Sequence, residues 1–219
     1  MLASRSVKRA LLCACVVLLP AVASAAEESA ATLQAPHERR AGVVVGMSFG
    51  AGLGGASGYP NSATKIGDSA FYSASDLMTG LGNSIFVMGA LSDYVSFGMW
   101  FGSASFDSAH WHSSGVGGGF RVEAFPLYQL VPKLADLGVF SQLGIGSTTL
   151  RTKLPGNYPT ADGAQSYLGA GAFFEAWNPK VFGGHFALGP TIEYDVITAR
   201  AIERHGALAG LRVVFYGGK

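Results

Sequence analysis

The chain has 219 residues, of which 15 are Lys or Arg and 14 are Asp or Glu, so its formal net charge is +1. This balance excludes the strongly basic surface of a nucleic-acid-binding protein. Charged residues make up only 13% of the chain, about half of the usual share, and the mean hydropathy is +0.31. So much apolar surface must be buried in a core or must face lipid.

The first 25 residues have the features of a secretion signal. Arg5, Lys8 and Arg9 form a positively charged n-region, residues 10–21 are mostly apolar, and residues 23–25 read ASA, a small-residue cleavage site. The apolar run is too short for a membrane-spanning helix; a lipoprotein cleaved at one of its cysteines is the alternative. We therefore predict removal of residues 1–25. Both cysteines leave with them, so the mature chain would contain neither a disulfide nor a thiol nucleophile.

Residues 26–41 are polar and Ala-rich, which predicts a flexible leader, and residues 42–219 predict one β-barrel domain. From Gly42 onward, apolar residues alternate with glycine or polar residues at period two, which is the pattern of strands with two unlike faces. Eight segments follow this pattern: 43–54, 84–92, 94–106, 116–127, 137–151, 164–177, 184–198 and 207–216.

The two faces of these segments differ in charge. The apolar face includes the side chains that we predict to face lipid, namely Val95, Phe97, Met99, Phe101, Leu188, Val213 and Phe215. The opposite face carries the predicted lumen cluster of Arg121, Glu123, Glu175, Glu193, Asp195 and Arg212. Six charges would cover a soluble barrel thinly, whereas in a narrow lumen they can pair, with an acidic excess. The sequence therefore predicts an all-β fold, an eight-stranded antiparallel up-and-down transmembrane β-barrel.

The links between the segments alternate in character. The polar links are 55–83, 107–115, 152–163 and 199–206, and the others are shorter or more apolar. Long polar loops at one end and tight turns at the other are typical of outer-membrane barrels. Long links often carry function, so an extracellular ligand would be expected to bind the links 55–83 and 107–115.

Residues 50–55 match the dinucleotide-binding pattern G-x-G-x-x-G directly after a predicted strand. Such a site needs a helix after the glycines, within a βαβ unit. The residues that follow contain Pro60 and have no helical pattern. The inner face of the first segment instead carries Gly46, Gly50, Gly52 and Gly54. We therefore interpret this segment as a glycine-lined strand and predict no cofactor.

The ASA signal, the eight alternating segments, the asymmetric links and the final segment GLRVVFYGGK together resemble the small bacterial outer-membrane barrels. This is the group of the OmpA transmembrane domain and the OmpX- and OmpW-like proteins, and the resemblance covers residues 42–219. It implies a location in a bacterial outer membrane, contact with its lipid, and insertion by the barrel assembly machinery. Members typically end on an aromatic residue, whereas here three residues follow Tyr216.

Eight strands leave an interior that side chains just fill. We therefore expect a polar, plugged lumen and a non-enzymatic role that is structural, adhesive or sensory, or that of a narrow pore. The alternatives are a passive channel for small apolar solutes of the OmpW-like kind and a soluble periplasmic binding barrel.

A third alternative is a lipid A deacylase of the PagL type. Its nearest feature is the segment HWHSS with His110, His112 and Ser114, together with Glu123 downstream. The favoured interpretation of this segment is a polar surface loop. His110 and His112 could bind a metal, but a zinc site needs a third or fourth ligand, so no metal is predicted.

Overall fold

The computed structural model describes residues 40–155 and 160–218, so the predicted signal peptide and residues 26–39 of the leader lie outside the described residues. The described chain forms eight long strands: β1 Val43–Gly58, β2 Met78–Ser92, β3 Val95–Asp107, β4 Trp111–Ala124, β5 Leu137–Thr152, β6 Ala161–Phe174, β7 Gly184–Thr198 and β8 Ile202–Tyr216. Each strand pairs antiparallel with the next, and β8 pairs with β1. This closed strand order confirms the predicted eight-stranded up-and-down barrel.

Short elements lie in the links. These are the two-residue strands Ser73–Ala74 and Lys180–Val181 and the 3-10 turns Ser69–Phe71 and Pro132–Leu134. Within the described ranges, no helix has the length and hydropathy of a membrane-spanning segment.

Outward side chains form an apolar belt around the barrel. On β1, Val43, Val45, Met47, Phe49 and Leu53 all face outward and are about half exposed. From Val43 to Leu53 the strand advances by about ten residue steps, which correspond to a height of about 25 Å at a rise of about 3.3 Å per residue and a tilt of about 40°. That height matches the apolar band of a spanning barrel.

The links differ from the predicted asymmetry. At the upper end, opposite to the one where β1 begins and β8 ends, the links are 59–77, 108–110, 153–160 and 199–201; at the lower end they are 93–94, 125–136 and 175–183. The predicted loops 55–83 and 107–115 therefore shrink to 59–77 and 108–110, and two of the lower links, 125–136 and 175–183, are longer than three of the four upper ones. The prediction was wrong because several strands continue above the belt, where both of their faces are polar and the period-two pattern disappears.

The core lies inside the barrel, and the glycines of β1 make room for it. A Cβ atom on Gly46 would lie 2.3 Å from the Phe86 ring, and one on Gly54 would lie 2.8 Å from the Phe106 ring. Both rings are fully buried. The glycine pattern at the start of the barrel therefore serves side-chain packing in the lumen.

Candidate functional site: the charged lumen

A chain of buried ion pairs crosses the lower half of the lumen. Arg121 and Glu123 lie on β4, Arg212 lies on β8, and Glu175 lies just after the end of β6. Arg121 Nη2 is 2.8 Å from Glu123 Oε1, and Arg212 binds Glu123 Oε2 at 2.6 Å and Glu175 Oε1 at 3.1 Å. All four side chains are at most 2% exposed. The sequence placed these residues inside the barrel, and the structure brings them into direct contact.

Arg40 extends this chain toward the lower end of the barrel. Its guanidinium lies 3.0 Å from Glu175 Oε2 and 2.7 Å from Asp136 Oδ1. The backbone N–H of Arg40 donates to Asp93 Oδ1 at 3.1 Å, and the Phe125 ring centroid lies 3.6 Å from the guanidinium carbon. The predicted flexible leader 26–41 is therefore wrong at Arg40, whose side chain is fully buried.

The carboxylates around Arg40 favour its protonated form. Burial alone would lower the pKa of the Arg40 guanidinium, but the negative charge of Glu175 together with that of Asp136 raises it above the ordinary arginine value. Arg40 is therefore a permanent cation at the lower mouth of the lumen.

Aromatic rings cover the faces of the buried guanidinium groups. The Arg121 guanidinium carbon lies 3.8 Å from the Phe140 ring centroid, and that of Arg212 lies 3.9 Å from the Phe173 centroid. Tyr216 donates its hydroxyl to Glu175 Oε1. Cations over aromatic faces are stabilised most where water is excluded. The rings therefore complete a site in which each cation has both carboxylate and π partners.

A second polar cluster lies higher in the lumen. Arg204 Nη2 binds Asp195 Oδ1 at 3.0 Å, and Arg204 Nη1 donates to the Ala104 carbonyl at 3.2 Å. Glu193 is half-buried and accepts from the Tyr167 hydroxyl at 3.3 Å. Of the predicted lumen residues, Glu193 is thus the least buried.

Gln142 connects the two clusters. With its amide oriented so that both atoms are satisfied, Gln142 donates to Glu193 Oε1 at 3.0 Å and accepts from Arg121 Nη1 at 2.5 Å. Lower and upper clusters therefore form one network that runs along the lumen.

Two arginines of the network, Arg40 and Arg204, were not among the lumen residues predicted from the sequence. Arg204 shares the inner face of β8 with Arg212, but it lies before residue 207, where the sequence placed the start of that strand. Arg40 lies before the first strand and has no periodic signal. With both included, the arginines are Arg40, Arg121, Arg204 and Arg212, and the carboxylates are Glu123, Glu175, Glu193, Asp195 and, at the lower mouth, Asp136, so the acidic excess is smaller than the sequence predicted.

A small cavity lies between the two clusters, lined in part by Trp100, Tyr167 and Glu193. Its volume is about 20 Å³, enough for about one water molecule. Above it, Phe106 and Leu150 are fully buried. The lumen is therefore filled along most of its length.

The residues predicted to face lipid all lie on the outer face of their strands. Phe97, Met99 and Phe101 are 44–54% exposed. The remaining four, Val95, Leu188, Val213 and Phe215, are half-buried among neighbouring outward side chains.

The HWHSS segment is wrongly predicted as a loop. His112 and Ser114 belong to β4 and point outward, whereas Glu123 is fully buried in the lumen. His112 Nδ1 instead lies 3.0 Å from Asp107 Oδ1. The structure therefore does not assemble a Ser–His–Glu set from these residues. Among the described residues, no three His, Asp or Glu side chains converge as metal ligands.

Solved structures with the same kind of barrel were found by comparison. Ail, the attachment invasion locus protein of Yersinia pestis, is 12% identical, with 80% of this chain and 99% of that chain covered and a TM-score of 0.46. Neisserial surface protein A is 14% identical, with 79% and 97% covered and a TM-score of 0.43. The outer membrane protein OprG of Pseudomonas aeruginosa is 10% identical, with 81% and 98% covered and a TM-score of 0.42. No protein-family model and no curated protein matches the chain.

Proposed function

We propose that this protein is an integral, non-enzymatic barrel of a bacterial outer membrane, with a lumen closed by ion pairs and a structural, adhesive or sensory role carried by its upper links. The observation that carries this proposal is the sidedness of the wall. The outer face has an apolar belt, as at Phe97 and Phe101, while Arg121, Glu123 and Arg212 are buried inside. A soluble barrel has the reverse arrangement.

The network argues against a wide water channel. The ion-pair chain joins β4 to the end of β6 through Arg212 on β8, and the rings of Phe140 and Phe173 lie over its guanidinium groups. Ions cannot pass unless several paired charges separate at once, and breaking a buried pair costs about 3–5 kcal/mol. Recognition outside the cell would then fall to the surface of link 59–77, the longest upper link in the described chain.

Fractionation and gel migration test the membrane assignment. We expect the protein to remain in the outer-membrane fraction until detergent is added, and to migrate differently on SDS gels before and after boiling. Release by osmotic shock would instead identify a soluble periplasmic barrel and overturn the proposal.

Single-channel recording in planar bilayers tests the closed lumen. The mature protein, folded as judged by gel migration, should give no stable large conductance under conditions in which a general porin does. A stable large conductance from the folded protein would contradict the plugged lumen while leaving its membrane location intact.

A further inference from the structure

The outer faces of β3, β4 and β5 continue above the apolar belt as an ordered polar surface. Their pairing places outward residues in four cross-strand rows, from top to bottom Asp107–His112–Arg151, Ser105–Ser114–Thr149, Ser103–Val116–Ser147 and Phe101–Gly118–Ile145. The top row is charged, the second row consists of hydroxyls, and the fourth is part of the belt. We call the two upper rows together with Lys153 the polar outer face.

The charges of the polar outer face are held in place by a shared acid. Asp107 Oδ1 lies 2.6 Å from Lys153 Nζ and 3.0 Å from His112 Nδ1. Lys153 also donates to the Ser108 carbonyl at 3.1 Å. Arg151 is adjacent to His112 in the register and is exposed, and the described residues supply it with no acid. Within the polar outer face, the two cations Arg151 and Lys153 therefore stand against the single carboxylate of Asp107.

The hydroxyl row beneath is also ordered. Ser114 and Thr149 lie opposite each other on β4 and β5, with their side-chain oxygens 3.1 Å apart. Asp162 flanks this row on β6, opposite Thr149, and its carboxylate accepts from the backbone N–H of Asn61 at 3.3 Å. The row thus offers hydroxyl donors and acceptors directly below the cations.

The height of the surface indicates the size of its ligand. Four residues separate His112 from Val116, the first exposed apolar residue below it on β4, which corresponds to a height of about 10 Å at the usual rise and tilt. The head-group layer of an ordinary phospholipid leaflet is only about 5–7 Å thick. A lipid whose acyl chains lie on the belt would therefore need a taller head group to bring a phosphate to Arg151.

We propose that the polar outer face binds the head group of a phosphorylated glycolipid in the outer leaflet. The phosphate lies against Arg151 and Lys153, because the planar guanidinium of arginine and the compact ammonium of lysine both bind phosphate oxygens strongly. The sugar hydroxyls exchange hydrogen bonds with Ser114 and Thr149, and the acyl chains lie on the belt near Ile145. This inference rests on the proposed membrane location and adds a lipid class and a binding surface to it.

The opposite side of the barrel differs in charge at a similar height. There Glu203 Oε1 lies 2.8 Å from His205 Nε2, and the Tyr194 hydroxyl lies 2.7 Å from His205 Nδ1. The outward positions of β7 and β8 carry no lysine or arginine, so this side lacks the two cations of the polar outer face. A matched control can therefore be taken from elsewhere on the barrel.

Lipid binding by the folded mature protein in detergent tests the proposal. Native mass spectrometry would measure the affinity for bisphosphorylated lipid A, for the same lipid without phosphates, and for phosphatidylglycerol. We expect the variant R151Q/K153Q to lose at least about tenfold in affinity for the phosphorylated glycolipid. The control variant R200Q/K65Q, which removes two other upper-end cations, should change it less than about twofold.

Each arm of the experiment has an outcome that overturns the proposal. Equal binding by R151Q/K153Q and wild type would show that the polar outer face is not the site. Equal binding of the dephosphorylated lipid would show that the phosphate is not recognised. Phosphatidylglycerol bound as tightly as the glycolipid would show that the saccharide does not contribute to binding. A variant that stays heat-modifiable but does not lose lipid binding refutes this inference alone, whereas a wild-type protein released by osmotic shock refutes the membrane location.

Discussion

Arg212 Nη2 lies 2.6 Å from Glu123 Oε2, so a cation on β8 meets a carboxylate on β4 across the lumen. These two strands are not neighbours in the barrel wall. Their contact is therefore a cross-brace that backbone hydrogen bonding does not provide. Because Glu123 also binds Arg121 at 2.8 Å, one carboxylate neutralises two buried cations.

Replacing Glu123 with Gln should destabilise the barrel strongly. The change leaves Arg121 and Arg212 buried without this carboxylate, and removing one partner of a buried pair costs about 3–5 kcal/mol. Urea unfolding in phospholipid vesicles, followed by gel migration, measures the loss. Glu203→Gln is the control, since Glu203 is 40% exposed and such exposed pairs contribute about 0–1 kcal/mol. Equal losses for the two variants would contradict the cross-brace.

Arg40 should contribute to stability in a way that does not depend on pH over the neutral range. Its pKa is raised in the folded state by Glu175 and Asp136 against the opposing effect of burial. A group with a raised pKa stabilises the fold fully below its unfolded pKa, and the effect is lost only as pH rises through the folded value. Arginine is already protonated throughout the neutral and mildly alkaline range in the unfolded chain, and the raised pKa of Arg40 in the folded state keeps it so there.

The measurement compares Arg40→Gln with wild type by urea unfolding at several pH values between about 6 and 10. We expect a loss of about 3 kcal/mol that is constant over this range, and only partial recovery in Arg40→Lys, which lacks the forked guanidinium. Lys133→Gln, an exposed change at the same end of the barrel, should have almost no effect. A loss that disappears by pH 10 would show that another group is responsible.

The lumen residues differ in how well the sequence predicts them. Arg121 and Glu123 lie at belt height, where outward neighbours such as Phe120 and Val122 give a clear period-two pattern. Arg204 lies on the same inner face of β8 as Arg212, but its outward neighbours, Glu203 and His205, are polar. The period-two pattern of a strand ends where the apolar belt ends, whereas the hydrogen-bonded strand continues beyond it.

Other features depend on contacts that no local pattern encodes. Arg40 is positioned by Glu175, Asp136 and Phe125, which come from two different lower links. Part of the polar outer face, namely Asp107, His112, Ser114 and Lys153, was predicted as loop for the related reason that serines and charges at the ends of strands resemble loop composition. Its order appears only once the cross-strand register is known.

Gly117→Ala should destabilise the barrel through crowding in the lumen. An added Cβ atom would lie 2.6 Å from Tyr167 Cδ2 and 3.0 Å from Trp100 Cη2. These two rings are packed together, with centroids 4.4 Å apart, so neither can move away freely. We expect a loss of about 1–3 kcal/mol in urea unfolding. Gly89→Ala is the control because nothing lies within 4 Å of its added atom, and a similar loss there would indicate a backbone effect.

Phe182→Gly should stabilise the protein in detergent. Phe182 has φ of 52° in the turn that links Lys180–Val181 to β7, and a bulky side chain in this left-handed region costs about 1–3 kcal/mol. Its ring is 98% exposed, so the substitution removes almost no packing. We expect a gain of about 1 kcal/mol in the free energy of unfolding.

The neighbouring residue supplies the opposite test. Gly183 has φ of 78°, and no atom lies within 4 Å of a Cβ added to it, so Gly183→Ala introduces backbone strain without a clash and should destabilise by about 1 kcal/mol. Unfolding of both variants in the same detergent measures whether each change raises or lowers the free energy of unfolding. Both changes are expected to act through backbone strain, so a loss for Phe182→Gly would mean that the exposed ring contacts detergent or lipid strongly enough to outweigh the strain.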